Sequence, residues 1–133
     1  MSSGEHPNIE LARRLYDAMA AKDAGTLMTL FSEDVVVEQT PELPWGGHYT
    51  GHDGLGTFFV TLVGTITSQV TISTIFAAED VVVQVGRTAG TVNATGRHFD
   101  VDEVHLLTIE DGKVVRFEAH IDTPAMLAAL APD

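Results

Sequence analysis

Five ionisable side chains, Glu103, His105, Glu118, His120 and Asp122, fall between Arg97 and Asp122, where the chain otherwise follows two β-strand patterns hinged on Glu110-Asp111-Gly112-Lys113. Two strands that bury apolar residues keep most of their charges in water, and any ionisable group that turns inward is a candidate for chemistry. Carboxylates and imidazoles in an apolar pocket suit general acid–base work. Burial raises the carboxyl pKa toward neutrality, attraction to the carboxylate holds the imidazole cationic, and a positioned proton transfer accelerates a reaction by ~10²–10⁴-fold.

Which of the five face inward depends on the turn. A two-residue turn on Asp111-Gly112 pairs Glu110 with Lys113 and sets His105 opposite Glu118 and Glu103 opposite His120, with Arg116 and Asp122 on the same face. A three-residue turn with Gly112 left-handed in a bulge pairs Ile109 with Lys113 and slips the register by one. His105 then faces Phe117, Glu103 faces Ala119, and Arg116, Glu118 and His120 move to the other side. Segregation of apolar residues favours the first geometry. Turn chemistry does not choose, because Gly112 supplies the positive φ that either needs.

The elements that must carry these residues are legible from periodicity. Pro7 to Ala21 reads as a helix, with Leu11, Ala12, Leu15, Tyr16 and Met19 at three- and four-residue spacing. Asp23 caps a short helix, Ala24 to Phe31, and valine-rich Asp34 to Gln39 is a strand. Thr40 to Gly51, with its prolines and glycines, is a loop, and Asp53 caps a third helix whose inner face is Leu55, Phe58, Phe59 and Leu62. From Ile66 the period becomes two: Val70 to Phe76, Val81 to Val92, Arg97 to Ile109 and Lys113 to Ile121 are strands. Thr123-Pro124 opens a last short helix, with Asp122 at its start. Three helices, a curved antiparallel sheet and a terminal helix make an α+β chain whose helices close over one sheet face as a cone.

With 133 residues the chain is read as one domain, 1–133. Seven Lys and Arg against nineteen Asp and Glu give a formal charge of −12, which argues against nucleic acid and anionic membranes as partners. Without cysteine there is no disulfide, thiol catalysis or thiolate metal site. Met1 to Pro7 lacks the basic and apolar regions of a signal peptide, so a cytoplasmic location is expected. His48 and His52 stand four apart, but Tyr49-Thr50-Gly51 breaks a helix between them, and no metal site is expected.

The run Gly86-Arg-Thr-Ala-Gly-Thr91, then Thr95-Gly96-Arg97, Asp111-Gly112-Lys113 and Asp122-Thr-Pro-Ala-Met-Leu, resembles the SnoaL-like branch of the nuclear transport factor 2-like superfamily. So does Leu43-Pro-Trp-Gly-Gly-His-Tyr-Thr-Gly-His-Asp-Gly-Leu-Gly56, and the likeness runs in order over nearly the whole chain. The resemblance implies the cone-shaped fold, with three N-terminal helices over a curved, mostly antiparallel sheet. It also implies a homodimer through the sheet face opposite the pocket, and the bulged register. The pocket floor is then Glu103, His105, Leu107, Val115, Phe117, Ala119 and Ile121. His105 falls in the slot where ketosteroid isomerases keep a protonated aspartate and SnoaL-type cyclases a histidine. The cyclases' pocket aspartate falls on Ala119, the isomerase tyrosine slot on Leu15 with Tyr16 one residue off, and the isomerase base slot on Gln39 or Thr40.

Two functions remain in view. One is a cofactor-free isomerase, cyclase or dehydratase acting on a small apolar molecule. It would use His105 and Glu103 as acid–base residues, with Tyr16, Gln39, Trp45, Tyr49, Phe58, Phe117, Ala119 and Ile121 around the substrate. The other is a non-catalytic ligand-binding or dimerisation module, for which Ala119 is the main support.

Overall fold

The computed structural model describes residues 6–132; the N-terminal stretch read for a signal peptide lies, as far as residues 1–5, outside them. Pro7 opens α1 (Pro7–Ala20), and Asp23 caps α2 (Ala24–Leu30) by accepting from the Thr26 amide. Strand β1 (Phe31–Gln39) starts three residues before the valine run, because Phe31 already pairs with Val114. The segment read as pure loop contains a short strand, β2 (Gly47–Thr50), antiparallel to β1. Helix α3 (Gly51–Thr65) begins at Gly51 with Thr50 as its N-cap, so Asp53 lies inside the first turn. There its charge faces the positive end of the helix dipole rather than capping an amide.

The remaining elements are β3 (Ile66–Ala78), β4 (Val81–Val92), β5 (His98–Glu110), β6 (Lys113–Ile121) and α4 (Thr123–Leu130). Asp122 accepts from the Ala125 amide and is the α4 cap, as read. Six strands form one sheet in the order β2-β1-β6-β5-β4-β3, antiparallel throughout except for β1 beside β6. The architecture is therefore α+β with four helices and a mostly antiparallel sheet. The three N-terminal helices are not consecutive: β1, as read, and the added β2 lie between α2 and α3.

Alternate residues of β4, β5 and β6 are buried beneath the helices. Val82, Leu107, Val114 and Phe117 pack with Leu15, Leu55, Phe58 and Met126 in one apolar cluster. Close approach of β3 and β4 depends on two glycines. A Cβ at Gly86 would lie 2.1 Å from the Thr71 carbonyl oxygen, and one at Gly90 only 1.8 Å from that of Thr67.

The β5–β6 register follows neither expected geometry. Asp111 and Gly112 both have positive φ (51° and 73°), and Glu110 pairs with Lys113, which is the two-residue turn. The expected three-residue turn is thus overturned. The register nevertheless shifts between Ile109↔Val114 and Thr108↔Arg116, leaving Val115 as an extra residue in β6. His105 consequently pairs with Ala119, not Phe117, and Glu103 with Ile121, not Ala119. A slip of one residue in either direction has the same parity. The face expected from the resemblance is therefore the one observed, except that Val114 rather than Val115 is buried beside Ile109.

Candidate active site

Glu103 and His105 project inward from β5 and are 3% and 6% exposed. Across β4, Gln84 pairs with His105 and Gly86 with Glu103. Tyr16 descends from α1, its ring stacked on His105 with centroids 5.8 Å apart, while Phe117 packs against the other side at 5.0 Å. These four polar side chains form one network. Gln84 Nε2 donates to Glu103 Oε2 at 2.6 Å and to Tyr16 Oη at 3.3 Å; Tyr16 Oη lies 2.7 Å from His105 Nδ1.

The network selects one imidazole tautomer. Tyr16 Oη accepts from Gln84, and His105 Nδ1 is the acceptor within reach of its one proton, so the tautomer with Nδ1 unprotonated satisfies both groups. The His105 proton is then on Nε2, 3.5 Å from Glu103 Oε1.

Burial governs both charges. It pushes the Glu103 carboxyl up, with the Gln84 hydrogen bond opposing it, and it drives His105 down to about 3, with a smaller electrostatic contribution from His120. The expectation that Glu103 holds His105 cationic is not met, because complete desolvation of the ring outweighs attraction across 3.5 Å. The imidazole is neutral. Burial also raises the Tyr16 phenol, which stays protonated and serves as a donor.

A cavity of about 60 Å³ opens against this pair, with Glu103, His105 and Phe117 on its wall beside Ala119 and Ile121. Gln39, Trp45 and Phe58 complete its outer side, and the Trp45 indole donates to Gln39 Oε1 at 3.0 Å. Trp45 is 2% exposed although it comes from a loop. An apolar cavity of roughly 150 Å³ is what a benzene-sized ring needs. This one holds less, so a larger ligand requires Trp45 or a neighbouring side chain to move.

Two expected contacts lie off the wall. Tyr16 sits behind His105, and Tyr49 packs edge-on against Phe58 while donating to the Trp45 and Gly46 carbonyls, tying down the loop. Leu15, in the slot expected for a tyrosine, is core, and Tyr16 is the residue that reaches His105. Thr40 stays with Glu42 at the surface.

On the opposite sheet face Arg116 pairs with Glu38 and Glu118, and His120 is exposed, so these groups are apart from the cavity. Among the described residues no group of three or more His, Asp or Glu side chains could hold a metal ion. His48 lies 3.8 Å from Glu38, and His52 Nε2 donates to the Phe31 carbonyl.

Gln84, fully buried at the centre of the network, is the residue that motif reading missed. Its signal was parity. In Val81-Val-Val-Gln84-Val it shares the inward alternation of Val82 and Thr88.

The fold is shared with solved structures described as nuclear transport factor 2-like and ketosteroid isomerase-like. Within it the chain belongs to the SnoaL-like domain family, which it matches over residues 12–117. A nuclear transport factor 2-like protein of unknown function from Burkholderia pseudomallei superposes with a TM-score of 0.89 at 24% identity, covering 96% of this chain and 99% of that one. TerC, crystallised with polyporic acid, gives 0.85 at 24% identity over 94% and 98%. A ketosteroid isomerase-like protein from Catenulispora acidiphila, in complex with trimethylamine, gives 0.78 at 20% identity over 90% and 91%. No curated protein matches the chain in sequence. Among the described residues no helix is long and apolar enough to cross a membrane.

Proposed function

We propose that the chain, read as one SnoaL-like domain with a cone-shaped pocket, is a cofactor-free acid–base enzyme acting on a small, largely apolar molecule. The observation that carries this reading is the Glu103–His105 pair, 3.5 Å apart, on the wall of a mostly apolar cavity. In the ionised form Glu103 Oε1 takes a proton from a carbon beside a carbonyl. His105 Nε2–H donates to the oxygen where negative charge collects, and a neutral imidazole is competent for that. The carboxylic acid so formed returns its proton to a different carbon in an isomerisation, or to a leaving hydroxide in a dehydration. Trp45, Gln39, Phe58, Phe117, Ala119 and Ile121 shape the substrate's seat. Two relatives of the same fold hold small molecules, polyporic acid and trimethylamine, which supports a ligand pocket here.

The test is hydrogen exchange at carbon. Small cyclic and aromatic ketones incubated with the protein in D₂O should incorporate deuterium, and Glu103→Gln should abolish the incorporation. Exchange that persists in Glu103→Gln would reject the assignment.

A second reading, a binding or dimerisation module, is favoured by the cavity of about 60 Å³ and by Ala119. It predicts a small molecule co-purifying in native mass spectra whose retention is indifferent to Glu103→Gln. The homodimer expected through the outer sheet face is supported by exposed Phe76 and Val85 there; Val85→Glu should convert a dimer to monomer in sedimentation.

A further inference from the structure

Gln84 lies directly opposite His105 on β4 and is wholly buried, yet it stays off the cavity wall. Its amide nitrogen touches every other member of the network: Glu103 Oε2 at 2.6 Å, and Tyr16 Oη and His105 Nδ1 at 3.3 Å each. Among the described residues its amide oxygen has no partner. A buried carbonyl left in this way is unfavourable, so something else must fix the amide's orientation.

The alternative orientation shows what does. Turned over, the amide would aim its oxygen at Glu103 Oε2, setting acceptor against acceptor and withdrawing the donor that Oε2 has there. The observed orientation leaves one weak acceptor unmet and gives Glu103 a donor. Gly86 makes it possible. The Gln84 oxygen occupies the space where a Cβ on Gly86 would lie, 2.5 Å away.

We propose that Gln84 is a positioning residue for the acid–base pair: it holds Glu103 Oε2, so that Oε1 alone turns to the cavity and to His105 Nε2. The inference rests on the acid–base reading of the site and adds to it a division of labour within one carboxyl group. Oε2 is the anchored oxygen and Oε1 the one that exchanges protons. His105 Nε2–H and a proton on Oε1 cannot point at each other, so the acid form of Glu103 directs its proton into the cavity. Tyr16 completes the arrangement by keeping His105 in the one tautomer that leaves Nε2–H facing Oε1.

The groups facing Glu103 are few. Tyr16 comes from α1, His105 from its own strand, Gln84 and Gly86 from β4, and Ile121 and Ala119 from β6, while α4 presents Met126. His120 lies on the other face of β6 and acts on His105 through charge alone.

The test is NMR of the resting protein, which stays readable whether or not a substrate is turned over and so separates this inference from the proposed activity. In the unmodified chain the Gln84 side-chain amide protons should exchange slowly with solvent, and their shifts should follow the titration of the Glu103 carboxyl carbon. Gln84→Met should move that titration midpoint upward and blur the His105 ring-nitrogen shifts into a mixture of tautomers. Gln84 amide protons indifferent to Glu103 ionisation overturn the proposal without any variant. So does a folded Gln84→Met protein in which Glu103 and His105 titrate as in the parent.

Discussion

Ala119 is the cross-strand neighbour of His105, so across the β5–β6 ladder the imidazole meets a methyl group. The acid of the site comes instead from the same strand, two residues away at Glu103. Two inward positions on one strand hold their spacing through the pleat, whatever the partner strand does. The pair therefore depends on β5 and β4, and the contribution of β6 is the apolar wall.

The neutral imidazole makes a stability prediction. His105 is depressed from 6.5 to about 3 by burial, so between those values the unfolded chain binds a proton that the folded one refuses. Stability should fall as pH drops from 6.5 toward 3, by about 1.4 kcal/mol per pH unit and about 5 kcal/mol at full extent. Urea unfolding at stepped pH should show this slope in the parent, and His105→Gln should flatten it.

Glu103 gives the opposite sign. Its folded value is raised by burial, so the folded chain keeps a proton that the unfolded chain releases above about 4.5. Its stabilising contribution is full below that value and is lost as pH rises through the folded one. Glu103→Gln should therefore be more stable than the parent at pH 8 and no more stable at pH 4. Equal gains at both pH values would show that the effect is not one of ionisation.

Trp45, the single tryptophan, reports on the outer wall of the cavity. Buried and hydrogen-bonded to Gln39, it should emit at short wavelength and resist acrylamide quenching. Gln39→Leu leaves the indole N–H without an acceptor, at about 1–2 kcal/mol, and should shift emission to the red. A ligand that enters by displacing Trp45 should do the same in the parent.

Two glycines should respond oppositely to alanine. At Gly86 the added carbon meets the Thr71 carbonyl oxygen at 2.1 Å and the Gln84 oxygen at 2.5 Å, so Gly86→Ala should cost about 1–3 kcal/mol or more. Gly64, in α3, has nothing within 4 Å, so Gly64→Ala should gain about 0.4–1 kcal/mol. Thermal unfolding of the two variants checks both signs.

Most of the architecture was legible because its signals are local. Pro7, Asp23 and Asp122 mark helix starts, and the switch to a two-residue period at Ile66 marks the long strands. Strand β2 was hidden because four residues between prolines and a helix carry too little pattern to separate from a loop. In the site, Glu103 and His105 were legible as inward residues only through the family resemblance. Their partners were harder. Tyr16 was expected at the substrate and lies instead behind His105, and Gln84 carried no signal beyond its parity. What distinguishes both is a contact across the fold, from α1 to β5 and from β4 to β5, which no local spacing encodes.

Val115 acts on β6 as a parity bit. Were it taken into the ladder opposite Thr108 instead of being left over as the extra residue, the strand from residue 116 onward would present Arg116, Glu118 and His120 to the interior and send Phe117, Ala119 and Ile121 outside. Substitutions can weaken this site one contact at a time. A slip of one residue in the β5–β6 pairing would erase the cavity wall while leaving every residue of the site in the chain.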